Sequence, residues 1–188
     1  MAGYFREVAR RVFAQEFRES NLTFKDGEDQ YAPQYLLTPT GAKVNRMFIV
    51  GTLTEKEDIG TDSEYWRGRV SDPTGSFMVY AGQYQPEAAQ ALVECETPAF
   101  VAIVGKPSTY TTGDGNVLTS VRPESIQVVD GNTRDMWVLD TAKQTMDRLN
   151  MLKGDGADAV KAVEHYNPDV EHYRGMVKQA LESLKEYQ

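Results

Sequence analysis

The chain contains a single cysteine, Cys95, in 188 residues. One thiol excludes an intramolecular disulfide framework and a zinc site built from several cysteines of this chain, and it is typical of a reducing cytosol. Long apolar runs are also missing, since stretches such as 47–50 and 99–104 are far shorter than the roughly 20 residues that cross a bilayer. Residues 1–18 carry charges throughout and lack the apolar region of a signal peptide. These absences predict a soluble, cytoplasmic protein.

Basic residues are scarce, with 20 Lys and Arg against 28 Asp and Glu, a formal net charge of −8. Residues 44–130 hold six basic and 12 acidic residues, so the acid is concentrated there. A protein that binds nucleic acid alone, through its whole surface, is usually basic. The charge therefore counts against an autonomous binder of this kind. It leaves open a role shared with a partner that supplies positive charge, a scaffold role, or an origin in a salt-adapted proteome.

Recognisable catalytic motifs are absent: no GxxxxGK[ST], HExxH or GxSxG occurs. The two histidines, His165 and His172, are seven residues apart with Pro168 between them, which disfavours a shared helical face. Cys95 is flanked by Glu94 and Glu96, and neighbouring carboxylates disfavour a reactive thiolate. We therefore expect no enzymatic activity, no cofactor and no metal site.

The first 43 residues are predicted to form an N-terminal helix and an extended arm. Phe5, Val8, Val12 and Phe13 recur at helical spacing, which predicts a helix over residues 3–19. Residues 21–41 mix short apolar pieces with Asp, Gly and Pro, which predicts an arm outside the core.

Residues 44–130 are predicted to form five strands and one short helix. The strands are predicted at 44–54, 64–71, 76–81, 99–110 and 117–129, and the helix at 86–94, between the third and fourth strands. Gly51 and Gly105 lie inside strands, where glycine marks a bulge or a tight bend. This order predicts an OB-fold, a five-stranded Greek-key barrel, in a mainly β protein with α extensions.

Residues 131–188 are predicted to be helical. Apolar residues recur at helical spacing over 133–152, 157–166 and 169–187, and the segments are separated by Gly154–Gly156 and Pro168. We expect these C-terminal helices to serve in partner binding and assembly.

Several segments taken in order resemble a known family. They are VNRMFIVGTLTEKE (44–57), YWRGRVSDPTGSFMVYAG (65–82), FVAIVGKPSTY (100–110), GDG (113–115) and VRPESIQVVD (121–130). The order and spacing resemble the OB-fold of the middle subunit of replication protein A, over about half the chain. The whole chain is similar to the archaeal proteins associated with replication protein A. The resemblance implies an accessory subunit of a heteromeric single-stranded DNA-binding complex in DNA replication and repair.

The resemblance also implies DNA-contacting residues. The family's two base-stacking aromatics fall on Tyr80 and Tyr110, and stacking suits sequence-tolerant binding because every base has a π-face. Strand alternation puts Arg67 and Arg69 on one face, where they could meet phosphates or pair with Glu64 and Asp62. The remaining candidates are Trp66, Phe77 and Lys106, of which Trp66 and Phe77 could instead be barrel core.

The helix at 133–152 matches the segment that joins the intersubunit helical bundle in replication protein A. Its predicted partner-binding residues are Met136, Trp137, Leu139, Met146, Leu149 and Leu152. The alternative is that this side packs on the chain's own barrel and following helices. Two other functions stay open: an OB-fold assembly module without direct nucleic-acid binding, and an RNA-binding OB domain.

Overall fold

A computed structural model of the chain describes residues 6–184. Within this range the chain forms nine strands and five helices. The strands are β1 (Ala9–Arg10), β2 (Leu22–Lys25), β3 (Gln34–Leu37), β4 (Lys43–Val44), β5 (Arg46–Asp58), β6 (Trp66–Asp72), β7 (Gly75–Ala81), β8 (Ala99–Thr111) and β9 (Val117–Val128). The helices are α1 (Ala14–Arg18), α2 (Pro86–Glu94), α3 (Gly131–Met151), α4 (Ala157–Tyr166) and α5 (Val170–Glu182).

Strands β5 to β9 close into a barrel. β5, β6 and β7 form an antiparallel meander, β7 pairs in parallel with β9, and β9 pairs with β8. β8 returns to β5 as an antiparallel partner, with Met47 opposite Gly105 and Leu53 opposite Ala99. Helix α2 lies between β7 and β8 in the chain. This strand order is that of the OB-fold, so the predicted fold class is confirmed.

The interior of the barrel follows from strand alternation. Val70, Phe77, Val79 and Ile103 are buried while their chain neighbours reach the outside. The turn between β6 and β7 is held by Asp72, whose carboxylate accepts the backbone N–H groups of Thr74 and Gly75 at 2.7 and 3.1 Å. The sequence pattern therefore specifies both the hairpin and its inward face.

Of the predicted helix over residues 3–19, the structure shows only Ala14–Arg18 as helix in its described part. Residues 6–8 form no regular structure, Ala9–Arg10 pairs in parallel with β5, and the helix begins only at Ala14. The reason is tertiary. The Asp72 carboxylate accepts the N–H of Ala14 at 2.7 Å, and Thr74 Oγ1 accepts that of Gln15 at 3.0 Å. These acceptors satisfy the first free N–H groups of the helix and fix where it starts. Residues 3–5 lie outside the described range.

The segment 21–41 is extended, as predicted, but it belongs to the core. β2 and β3 form an antiparallel hairpin, and β4 pairs with β3 in the same small sheet. Leu36 and Leu37 of β3 are fully buried. The hairpin packs against the C-terminal helices, since the Tyr166 hydroxyl donates to the carbonyl of Leu37 at 2.6 Å and accepts the N–H of Leu22 at 3.0 Å.

A buried ion pair joins the N-terminal segment to α3. Glu16 is completely buried, and its Oε2 lies 3.2 Å from the Arg148 guanidinium. Arg148 also donates to Thr40 Oγ1 at 2.9 Å and to Thr145 Oγ1 at 3.3 Å. One guanidinium thus connects α1, the segment before β4 and α3.

Removing Arg148 tests this junction. Arg148→Ala leaves the Glu16 carboxylate buried without its partner, and we expect it to lower the free energy of unfolding by about 3–5 kcal/mol. Urea unfolding followed by circular dichroism measures the change. The double variant Glu16→Met, Arg148→Met should recover part of the loss. The control Arg174→Ala removes an exposed pair with Glu171 and should change stability by less than about 1 kcal/mol. An Arg148→Ala protein as stable as this control would contradict the assignment.

Candidate nucleic-acid interface

The outer side of β6 and β7 carries alternating polar and aromatic side chains. Arg67 lies opposite Tyr80 and Arg69 lies opposite Met78 in the antiparallel register. The residues between them, such as Gly68 and Val79, point into the barrel and are buried. The prediction that Arg67 and Arg69 share one outward face follows from the same alternation and agrees with the structure.

Tyr80 does not stand alone on this face. The ring of Tyr65 stacks on it, with centroids 5.8 Å apart and planes at 18°. Gly82 leaves room for this arrangement, because a Cβ at that position would come 2.8 Å from the Tyr65 ring. Tyr65 is 42% exposed and Tyr80 is half-buried, so the pair forms an accessible aromatic surface. Tyr65 is missing from the predicted site, although its parity with Arg67 already placed it on this face.

The loop that delivers Tyr65 is ordered by Asp58, the last residue of β5. Its carboxylate accepts the backbone N–H groups of Gly60 at 2.9 Å and Tyr65 at 3.1 Å. These two bonds to the charged form lower the pKa of Asp58 below its usual value. The start of β6 is therefore held by a carboxylate that stays ionised at neutral pH.

The two arginines are already paired with carboxylates of the neighbouring strand. Arg67 Nη2 lies 2.8 Å from Glu57 Oε1, and Arg69 Nε lies 3.7 Å from Glu55 Oε2. The partners are thus Glu57 and Glu55 of β5, where the sequence suggested Glu64 and Asp62. Both pairs are exposed, so the arginines are reachable but neutralised.

Phe77 and Trp66 differ from the other candidates. Phe77 is 1% exposed and packs on Phe17 with ring centroids 5.6 Å apart, so its prediction as a DNA contact is wrong. It points inward because it shares parity with Val79. Trp66 is half-buried against the core, and its indole nitrogen is buried with no hydrogen-bond partner among the described residues. Both positions follow the core alternative that the sequence left open.

Strands β8 and β9 extend beyond the barrel as a long hairpin. Their register shifts between Val104 and Gly105, the last residue of β8 that pairs with β5. Gly105 is required there, because a Cβ would lie 2.5 Å from the carbonyl oxygen of Arg122. Lys106 follows directly and is paired across the hairpin with Arg122. Both side chains are exposed.

The parallel pair Val79–Val121 aligns this hairpin with the tyrosines. The next residues along the two strands, Tyr80 and Arg122, leave neighbouring strands on the same outer side. We call the set Tyr65, Arg67, Tyr80, Lys106 and Arg122 the stacking face. Among the described residues, no ion pair involves Lys106 or Arg122. Lys106 and Arg122 are therefore the available cations of the stacking face, since no carboxylate of the described residues is paired with them and they can bind an anion.

Tyr110 is 69% exposed but lies apart from the stacking face. It is opposite Leu118, three residues before Val121 on β9. Tyr80 is level with Arg122, which is four residues from Leu118 along β9. At about 3.3 Å per residue, Tyr110 therefore lies roughly 13 Å from the level of Tyr80, toward the hairpin tip. The two predicted stacking tyrosines are therefore both accessible, but they do not form one cluster.

The predicted partner-binding residues divide into two groups. Trp137, Leu149 and Leu152 are buried in the chain's own core, and Trp137 Nε1 donates to the carbonyl of Phe48 at 2.8 Å. These three are corrected to core residues, because α3 packs against β5 of the barrel and against α5. Met146 is half-buried against the same core. Met136 and Leu139 are 57% and 46% exposed and stay candidates for partner contact.

The histidines contact the N-terminal segment. His172 Nε2 lies 3.1 Å from Glu19 Oε1, and His165 Nε2 lies 2.7 Å from Asn21 Oδ1. Over residues 6–184, no three His, Cys, Asp or Glu side chains come together as metal ligands would. No helix in the same range has both the length and the apolar character to span a membrane.

Comparison with known proteins finds no matching family model and no matching curated protein. Solved structures do match. The mitochondrial single-stranded DNA-binding protein Rim1 of S. cerevisiae is 21% identical, covering 46% of this chain and 95% of that chain, with a TM-score of 0.37. The second single-stranded DNA-binding protein of Mycobacterium smegmatis is 16% identical over 45% of this chain and 86% of its own, with a TM-score of 0.39. An OBody bound to hen egg-white lysozyme, NL8, is 15% identical over 45% and 93%, with a TM-score of 0.37.

The Tyr65–Tyr80 stack can be tested by a double-mutant cycle. We expect Tyr65→Leu and Tyr80→Leu to be coupled by about 0.5–1.5 kcal/mol, the usual range for an aromatic pair. Chemical denaturation of the four proteins measures the coupling. The same cycle on Tyr31 and Tyr84, two exposed tyrosines in separate loops, should give none. Additive effects of the Tyr65 and Tyr80 changes would contradict the stacked geometry.

Proposed function

We propose that the chain is a cytoplasmic accessory subunit of a replication protein A-like complex that binds single-stranded DNA in replication and repair. The observation that carries the proposal is the stacking face, where a stacked tyrosine pair lies beside the available cations Lys106 and Arg122. The sequence resemblance supports the kind of complex. The proposal assigns no reaction to the chain.

The chemistry of the stacking face fits an unpaired strand. A base can stack on an exposed aromatic ring only when it is free of a duplex, and such stacking is worth about 1–3 kcal/mol per base. Lys106 and Arg122 are placed to meet the phosphates between stacked bases, and phosphate contacts carry no sequence information. The arrangement therefore favours sequence-tolerant binding.

The excess of acidic residues in the barrel favours DNA binding by a complex over DNA binding by this chain alone. Residues 44–130 carry twice as many acidic as basic residues, and Glu55 and Glu57 neutralise two of the arginines. Neutralisation of phosphates supplies most sequence-independent affinity, so this chain alone contributes little of it. The exposed Met136 and Leu139 of α3 give the complex a docking point, and flexible methionine adapts well to a partner surface.

One observation favours a second function. The pairing of Arg67 and Arg69 with glutamates is also what an assembly module without nucleic-acid binding would show. In that case the barrel would serve only to present α3 and the hairpins to protein partners.

Tyr80→Ala combined with Tyr110→Ala tests DNA binding. We expect the affinity of the full chain for fluorescent oligothymidylate to fall roughly 5- to 150-fold for each base that can no longer stack on a tyrosine ring. Fluorescence anisotropy at low salt measures it. Tyr80→Phe with Tyr110→Phe keeps both rings and should bind like the wild type.

Two outcomes decide between the alternatives. If the alanine variant binds oligothymidylate as the wild type does and still assembles with its partner, the assembly module is the better description. If oligouridylate displaces oligothymidylate at lower concentration, the RNA-binding domain is favoured instead. Thermal unfolding of each variant shows whether it is folded.

Met136→Glu with Leu139→Glu tests the docking point. We expect the tagged wild-type chain to bring down an OB-fold subunit from its native extract, identified by mass spectrometry, and the double variant to lose it. The charges are placed on exposed positions, so folding should be unaffected. Val160→Glu, on an exposed position of α4, is the control and should retain the partner. A wild-type chain that is recovered as a lone monomer would refute the subunit assignment.

A further inference from the structure

A large groove lies between the N-terminal segment and the base of the β8–β9 hairpin. Its volume is about 920 Å³, and we call it the hairpin groove. One wall carries Arg6 and the loop residue Tyr31, and the other carries Lys106 and Arg122. Arg6 is exposed, and Tyr31 is 83% exposed at its edge.

The hairpin groove is cationic in an acidic protein. Four cations line it, Arg6, Arg46, Lys106 and Arg122, against two carboxylates. Both carboxylates are engaged: Glu124 accepts from Arg46 at 2.6 Å, and Glu7 accepts from the Tyr35 hydroxyl at 2.7 Å.

The other three cations have no such partner. Within residues 6–184, none of the ion pairs involves Arg6, Lys106 or Arg122. The four cations and two carboxylates give the lining two more positive than negative charges, and such a surplus in a chain of net charge −8 indicates an anionic ligand. The length of the lining, from the N-terminal segment to β9, suits an extended polyanion better than a compact anion.

The hairpin groove is continuous with the stacking face. Lys106 and Arg122 belong to both surfaces, and Arg122 follows the residue that pairs with β7 beside Tyr80. A second cavity of about 470 Å³ lies on the same side and is lined by Tyr84 together with Lys106 and Arg122. Tyr84 is 84% exposed. Aromatic rings and cations thus follow one another from Tyr65 and Tyr80, past Tyr84, to Tyr31 and Arg6.

We propose that the hairpin groove is a second binding segment for the same DNA strand, which leaves the stacking face across Lys106 and Arg122 and continues between the two hairpins. This inference rests on the proposed single-stranded DNA binding. It adds that the N-terminal segment, outside the barrel, contacts the ligand through Arg6 and Tyr31. A short oligomer is then held by the stacking face, and a longer one engages both surfaces.

The test compares oligothymidylates of about 6 and about 16 nucleotides, near the two ends of the range of OB-fold site sizes. Arg6→Ala with Tyr31→Ala changes only the hairpin groove. We expect it to weaken binding of the longer oligomer by about tenfold or more and to leave the shorter one unchanged in anisotropy titrations of the full chain. Tyr65→Ala with Tyr80→Ala should weaken both. Arg6→Lys with Tyr31→Phe keeps charge and ring and should bind both like the wild type.

Each result has a defined meaning. A groove variant that binds the longer oligomer as tightly as the wild type overturns the inference while leaving the proposed function intact. A groove variant that weakens both oligomers equally also overturns it, because the groove would then be the primary site. A wild-type chain that binds neither oligomer, alone or with its partner, refutes the proposed function itself. Both altered side chains are exposed, and thermal unfolding verifies that the variants are folded.

Discussion

The ion pair between Glu16 and Arg148 determines how the parts of this chain fit together. Glu16 is fully buried, so its charge requires a partner in the interior, and only α3 supplies one among the described residues. The same guanidinium reaches Thr40, which fixes the segment leading into β4. Because this junction lies on one side of the barrel, the N-terminal hairpin and the helices cover that side together. The outer faces of β6, β7 and the β8–β9 hairpin are left uncovered, and they are where the accessible tyrosines lie.

Most of the fold could be predicted because its signals are local. Strand alternation, the turn at 72–75 and the proline at the start of α2 each act within a few residues, and the barrel strands lie close to their predicted bounds. The N-terminal helix is shorter than predicted and begins only at Ala14, because its first turn is fixed by Asp72 and Thr74, far along the chain. Val12 and Phe13, two of the apolar residues that predict the helix, are buried. An irregular segment buries them as well as a helix would, so their pattern does not require a helix.

The sequence predicts on which side of the barrel the candidate site lies, but it does not predict which side chains contact one another there. Alternation places Arg67 and Arg69 together outside the barrel, whereas their pairing with Glu57 and Glu55 depends on the register between β5 and β6. That register shifts between Leu53 and Glu55, and a one-residue shift cannot be read from composition. Strand parity alone does not identify Tyr65 as a site residue, because its stacking on Tyr80 depends on the small residue Gly82 across the sheet. The hairpin groove depends on two distant segments meeting, for which the sequence carries no local signal.

The cross-strand pairs of the stacking face have a consequence for ionic strength. In the proposed complex, a phosphate that takes Arg67 from Glu57 releases a counterion from the DNA, but the freed carboxylate attracts a cation in turn, so the net release of ions is small. Since counterion release is what makes such binding sensitive to salt, contacts made by exchange of this kind weaken little as salt rises. Stacking of bases on tyrosine adds a contribution that involves no net charge. An acidic barrel built in this way is suited to hold a nucleic-acid strand in a concentrated salt solution, where a conventional basic groove would lose most of its attraction.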